Sequence, residues 1–123
     1  MDGVRFFVPG RPLPLARARH FWDDKTGLGV RNKPNVRAYQ DKVGWHAKVA
    51  GCRRIEGPVE LRLEVYVSGR RGDLSNYVKM IEDGLNGVAW MDDRQVIELA
   101  ARFIEKHHVE EVGEGVDVEV IER

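Results

Sequence analysis

The chain has 123 residues, 42% of them hydrophobic, with 20 Lys/Arg, 20 Asp/Glu and a single cysteine. That is the length of one domain with apolar residues enough for one core, and it excludes a disordered tail, a collagen-like fibre and a disulfide or zinc framework. The formal charge is zero, yet residues 1–54 carry 12 Lys/Arg against 4 Asp/Glu, while residues 55–123 carry 8 against 16. Such asymmetry points to a basic binding surface beside an acidic site, or to two halves that neutralise each other once folded. No apolar run approaches the about 20 residues of a membrane helix. The first twelve residues lack the apolar stretch of a secretory signal. The expectation is a cytoplasmic protein with no membrane partner.

Val4 to Val8 reads as a short strand closed by the turn signal Pro9-Gly10. Residues 10–33 show no sustained period and hold Arg11, Arg17, Arg19, Lys25, Arg31 and Lys33 with Phe21 and Trp22. They form a long basic loop, with a hairpin through Lys25-Thr26-Gly27. Loops of this length inside a domain are functional or disordered as a rule. From Asn35 to Ala50, Val36, Tyr39, Val43, Ala47 and Ala50 recur at three- and four-residue steps, the stripe of an amphipathic helix. Val59, Leu61, Leu63, Val65 and Val67 alternate with polar residues and predict a strand. A second helix is predicted over Ser75–Asn86, burying Tyr77, Met80, Ile81, Gly84 and Leu85, with Asn86-Gly87 as its stop. Ile97, Leu99, Ala101 and Phe103 predict a third strand, and Val116, Val118 and Val120 a short last one. Two helices and about four strands in mixed order make a single α+β domain spanning residues 1–123, with helices on one face of the sheet.

Asp73-Leu74-Ser75-Asn76 opens the second helix and Asp92-Asp93 follows it. Asn76, Lys79 and Asp83, at i, i+3 and i+7, share one helical face. A lysine between polar residues there can balance carboxylates or reach a phosphate, and hard oxygen ligands of this kind suit Mg²⁺ or Mn²⁺ and not zinc. The plainer alternatives stay open: Asp73 or Ser75 as a helix cap, Asp92-Asp93 as a solvated turn. His20, His46, His107 and His108 show no metal-ligand spacing, and the adjacent pair reads as the end of a strand. Trp45 and Trp90 read as core anchors, Trp22 as a base-stacking or packing residue, and Cys52 as an inert thiol. There is no Walker A sequence, no GxGxxG and no recognisable Ser-His-Asp set.

Residues 72–96, GDLSNYVKMIEDGLNGVAWMDDRQV, carry a longer pattern. The run resembles the signature of the RusA family of Holliday junction resolvases, roughly D-L-D-N, a lysine three residues on, D-A-L-N-G, then D-D-x-Q-V. Residues 9–19 are similar to that family's Pro/Gly/Arg-rich segment after the first strand. The resemblance implies a RusA-like α+β fold assembled as a homodimer. It implies an endodeoxyribonuclease that nicks four-way junctions in recombination and repair, dependent on Mg²⁺ or Mn²⁺. Asp73 and Asp93 then match metal-associated aspartates and Lys79 the catalytic lysine. Asp92, Asp83 and Asn76 match further positions of the pattern, with Asp92 also near the metal. Ser75 stands where the family has its second aspartate, and a hydroxyl brings the metal no charge. The basic loop, from Arg11, Arg17 and Arg19 to Lys25, Arg31 and Lys33, would hold DNA phosphates. Two other readings remain: a non-catalytic binder of branched DNA with an impaired metal site, and an unrelated small regulatory domain.

Overall fold

The computed structural model describes residues 3–15, 21–23, 27–29 and 34–123. Its elements in chain order are β1 (Gly3–Pro9), β2 (Phe21–Asp23), β3 (Gly27–Gly29), α1 (Pro34–Val49), β4 (Val59–Tyr66), α2 (Leu74–Leu85), β5 (Val96–Phe103), α3 (Lys106–Val112) and β6 (Gly115–Glu122). A four-stranded sheet runs in the order β1-β6-β4-β5, and β2 pairs with β3 as a separate antiparallel hairpin. The β1–β6 and β4–β6 pairs are antiparallel, and β4–β5 is parallel. A parallel pair needs a crossover; α2 lies within it, so the segment carrying the acidic residues is also the one the topology carries over the sheet.

The alternation seen in the sequence decides which face is covered. Leu61, Leu63 and Val65 of β4, Val116, Val118 and Val120 of β6, and Phe6 and Val8 of β1 point into one core with Tyr77, Met80, Ile81 and Leu85 of α2. Tyr39, Val43 and Ala47 of α1 close the same core. The other sheet face carries charge. Arg5 meets Asp117 at 2.6 Å, Arg62 meets Glu60 at 2.6 Å, Arg123 meets Glu60 at 2.8 Å, and Arg102 meets Glu64. Part of the charge asymmetry is thus cancelled locally, for Arg5–Asp117 and Arg11–Glu114 join the basic and acidic halves.

Three expectations need correction. The pair His107-His108 does not end a strand but lies in α3, a third helix. Of its seven residues only Val109 is buried, so no apolar period announced it. Trp90 is fully buried, but Trp45 is 60% exposed and anchors nothing. The strand predicted through Ile97, Leu99, Ala101 and Phe103 forms as β5; Ile97 and Leu99 are 59% and 51% exposed on this edge strand, while Val96, Ala101 and Phe103 pack against the core. The last strand is longer than predicted and central, paired on both sides along Gly115–Ile121.

Candidate active site

Asp73 occupies the N-cap position of α2 with an extended backbone, yet its carboxylate makes no capping hydrogen bond. Capping therefore does not account for it. The helix start places that anion where the dipole favours negative charge, with Ser75 exposed in the first turn. Tyr77 reaches back from the same turn, and its hydroxyl accepts the Gly72 N–H at 3.1 Å. The Asn76 carbonyl accepts the Leu15 N–H at 3.0 Å, which ties the segment after β1 to α2.

Six residues after Asp73, about 9 Å along the helix axis, Lys79 gathers two carboxylates. Its ammonium lies 2.8 Å from Asp93 Oδ2 and 3.1 Å from Asp83 Oδ1. The bond to Asp93, and after it those to Asp83, raise Lys79 above the ordinary lysine range against the opposing effect of burial. The group is a fixed cation and no general base. Glu82, three residues after Lys79 and half-buried, is pushed up by burial and by the nearby Asp93 charge.

Asp93 comes from a separate segment, a 3₁₀ turn over Asp93–Gln95. Asp92 caps that turn: its Oδ1 accepts the Arg94 N–H at 3.0 Å, and this bond holds its carboxyl below the usual range. Gln95 fastens the turn to the body. Its amide oxygen accepts the N–H groups of Met91 and Asp92 at 2.8 and 3.2 Å. Its amide nitrogen donates to the carbonyls of Ile55 and Gly57 at 2.7 and 2.9 Å. All of the side chain's polar valence is used in holding the aspartate segment.

Of the residues singled out in the sequence, Lys79, Asp83 and Asp93 are brought into direct contact, with Asp92 adjoining. Asp73, Ser75 and Asn76 stand at the start of the same helix. Among the described residues, no three His, Cys, Asp or Glu side chains are gathered as a ready-made ion cage. The available donors are carboxylate and hydroxyl oxygens, which match the chemistry of Mg²⁺, an ion commonly held by one or two carboxylates with substrate phosphate and water. Arg17, Arg19, Lys25, Arg31 and Lys33 lie outside the described residues. Arg11 is described, and its guanidinium braces the loop before α2, donating to the carbonyls of Ser68 (2.9 Å) and Arg70 (2.6 Å) and to Glu114 (2.8 Å).

Sequence reasoning passed over three side chains here. Gln95 appeared only as a letter of the signature. Arg70 and Arg71 line a groove with Arg11, Pro14 and Tyr77 directly before Asp73, and Arg71 stacks on the Phe103 ring at 3.9 Å. Two adjacent arginines leading into an aspartate were the available signal.

Comparison with known proteins agrees with this arrangement. A search of curated proteins returns no match. The family model of endodeoxyribonuclease RusA matches residues 9–121, from the end of β1 through the lysine–aspartate cluster into β6. By that match the chain belongs to the RusA endodeoxyribonuclease family.

Proposed function

We propose that the protein is a divalent-metal-dependent endonuclease that resolves four-way DNA junctions as a homodimer in recombination and repair. The observation that carries this reading is the Lys79 ammonium pinned by Asp93 and Asp83, carboxylates of two different segments, in a chain of a nuclease family. Phosphodiester hydrolysis places growing negative charge on the phosphoryl oxygens. A cation fixed in place beforehand stabilises that charge without reorganising at the moment of reaction.

The roles divide by position. Asp73 and Asp93 would hold the ion, Mg²⁺ or Mn²⁺, with the Ser75 hydroxyl as a weak neighbour in place of a carboxylate. Bound there, the metal supplies Lewis acidity toward the phosphate and a more acidic water. Asp92 acts on the site by capping the turn that presents Asp93. Asp83 shares Lys79 with Asp93, so Lys79 keeps a partner when Asp93 turns to other work. Arg70 and Arg71, with the basic residues of the loop before α1, would meet DNA phosphates, contacts that position a duplex without reading its sequence. A two-fold dimer suits a four-way junction because it sets two equal sites against two equivalent strands.

The deciding experiment is cleavage of a synthetic four-way junction against a linear duplex, with Mg²⁺, with Mn²⁺ and with EDTA. Paired nicks across the branch point, present with metal and absent with EDTA, are expected. Junction binding without cleavage under any metal would mark a non-catalytic binder and overturn the enzymatic reading.

A further inference from the structure

One face of α1 is not explained by the core or by the lysine cluster. Arg37, Asp41, Trp45 and Lys48 follow one another at steps of four, four and three, so they share a side of the helix. That side borders a groove of 780 Å³ between α1 and α2, whose far rim is Asp83, the second partner of Lys79. The groove is therefore continuous with the cluster assigned to phosphate chemistry. Its floor is made by two glycines. A methyl on Gly84 would stand 3.0 Å from Val43 Cβ and 3.1 Å from the Gln40 carbonyl, and one on Gly44 would stand 3.3 Å from the Gly84 carbonyl. The helices cross backbone against backbone there, and no side chain from either glycine fills the space above. Trp45 stands beside this floor with 60% of its surface exposed, an unusual position for the largest apolar side chain. Asp83 shares the Lys79 charge with Asp93, and among the described residues the groove's own lining sets the cations Arg37 and Lys48 against the carboxylates Asp41 and Asp83.

We propose that this groove takes an unpaired nucleobase from the branched DNA, the base stacking on Trp45 while Arg37 and Lys48 meet the phosphates on either side. The inference rests on the junction-cleaving reading above, and it adds a binding site to it. An aromatic face flanked by cations is the general solution for holding single-stranded nucleotides, since every base has a π-face. Base pairs at the branch point of a junction lack continuous stacking on both sides, so a base there costs less to unpair and extrude than one inside a duplex arm. A linear duplex offers no such base at its middle. The groove thus separates junction from duplex by stacking, whereas phosphate contacts alone would treat the arms of both alike.

The test measures binding in EDTA, so that it does not depend on turnover, to a four-way junction and to a linear duplex of the same arm sequence. Trp45→Ala is expected to weaken junction binding by about tenfold and leave duplex binding unchanged. Trp45→Phe keeps a π-face and should recover most of the loss, which a merely structural role would not produce. The Trp45→Ala salt dependence should equal that of the wild type, whereas Arg37→Ala and Lys48→Ala should each reduce the slope by about one. Trp45 is exposed, so both variants should keep the wild-type circular dichroism and melting temperature. Equal loss on junction and duplex, or no loss on the junction, overturns the groove assignment. So does a Trp45→Ala protein whose only change is a shift of oligomeric state, which would make the face a contact between copies of the chain. Wild type that neither binds nor cuts junctions overturns the functional reading itself, a result distinguishable from all of these.

Discussion

Lys79 and Asp93 form one contact but are assigned different work, and single substitutions separate them. Asp93→Asn keeps shape and removes the charge proposed to retain the metal. Lys79→Ala keeps both carboxylates and removes the cation that meets the phosphate. Cleavage should fall by about 10²–10³ in Lys79→Ala and at least as far in Asp93→Asn. Metal-free junction binding should persist in Asp93→Asn and tighten, because a negative charge facing phosphate is gone. Excess Mn²⁺ should restore part of the Asp93→Asn activity and none of the Lys79→Ala activity. Wild-type cleavage in folded Asp93→Asn would reduce the residue to part of a solvated turn. The pH dependence follows from the directions of the shifts. Lys79 is raised by its partners, so its contribution is complete below the ordinary lysine value and is lost only as pH rises through the higher folded value. A cleavage profile should therefore show no falling limb from this lysine up to about pH 10. Asp92 is lowered, first by the Arg94 N–H, so its capping is complete above the ordinary aspartate value and fails as pH falls through the folded one. Protection of the Arg94 amide against exchange, relative to amides of the sheet core, should drop in acid below about pH 4.

Among the elements, the 3₁₀ turn and the α1–α2 crossing show where fold and site meet. Gln95→Ala removes four hydrogen bonds and leaves the carbonyls of Ile55 and Gly57 without that donor. A destabilisation of about 2 kcal/mol is expected, together with a cleavage loss larger than the fraction unfolded explains, because Asp93 is no longer fixed. Cleavage that tracks stability alone would show that the turn needs no clamp. Gly84→Ala tests the crossing, and two effects oppose. Alanine in a helix interior gains about 1 kcal/mol over glycine, but the new methyl meets Val43 and the Gln40 backbone at 3.0 and 3.1 Å. Backbone cannot move aside as a flexible side chain can, and overpacking of this kind costs about 1–3 kcal/mol. The net sign is loss, read as a lower melting temperature. These elements also mark what the sequence could disclose. The stripe of α2 and the strand alternations were legible because burial imposes its period on consecutive residues, and Lys79, Asp83 and Asp93, which the fold brings into contact, stood out because one motif runs through a single segment. The Gln95 clamp was not, since its acceptors are 40 and 38 residues away. Nor was α3, with one buried side chain. Trp45 was misread on residue type alone. At 100° per residue it lies 200° from Val43 and from Ala47, and that period already put it outside the buried stripe.

At the scale of the whole molecule, the described residues of one chain carry one lysine–aspartate cluster, while the proposed resolution of a four-way junction needs cuts on two strands. The free edge of the sheet offers a way to bring two clusters together. Among the described residues β5 is paired on one side only, by β4, and its first half presents Ile97 and Leu99, both more than half exposed, with exposed Met91 just before the turn that carries Asp93. An unprotected apolar edge is a liability in a monomer, and native proteins charge it or cover it. A second copy would cover it isologously, the same patch meeting itself across a two-fold axis. Replacing both Ile97 and Leu99 by Lys should therefore give a folded monomer, since neither side chain lies in the core. Light scattering reads the mass directly. The functional consequence is sharper than a loss of rate. On a supercoiled plasmid that extrudes a cruciform, a dimer makes two nicks in one encounter and yields linear DNA. The double variant should instead accumulate nicked circles, because each monomer leaves after a single cut and relaxation then removes the cruciform. Linear product from a monomeric variant would show that paired cutting needs no dimer. A wild-type chain that is monomeric at assay concentration yet yields linear product would remove this edge from the mechanism altogether.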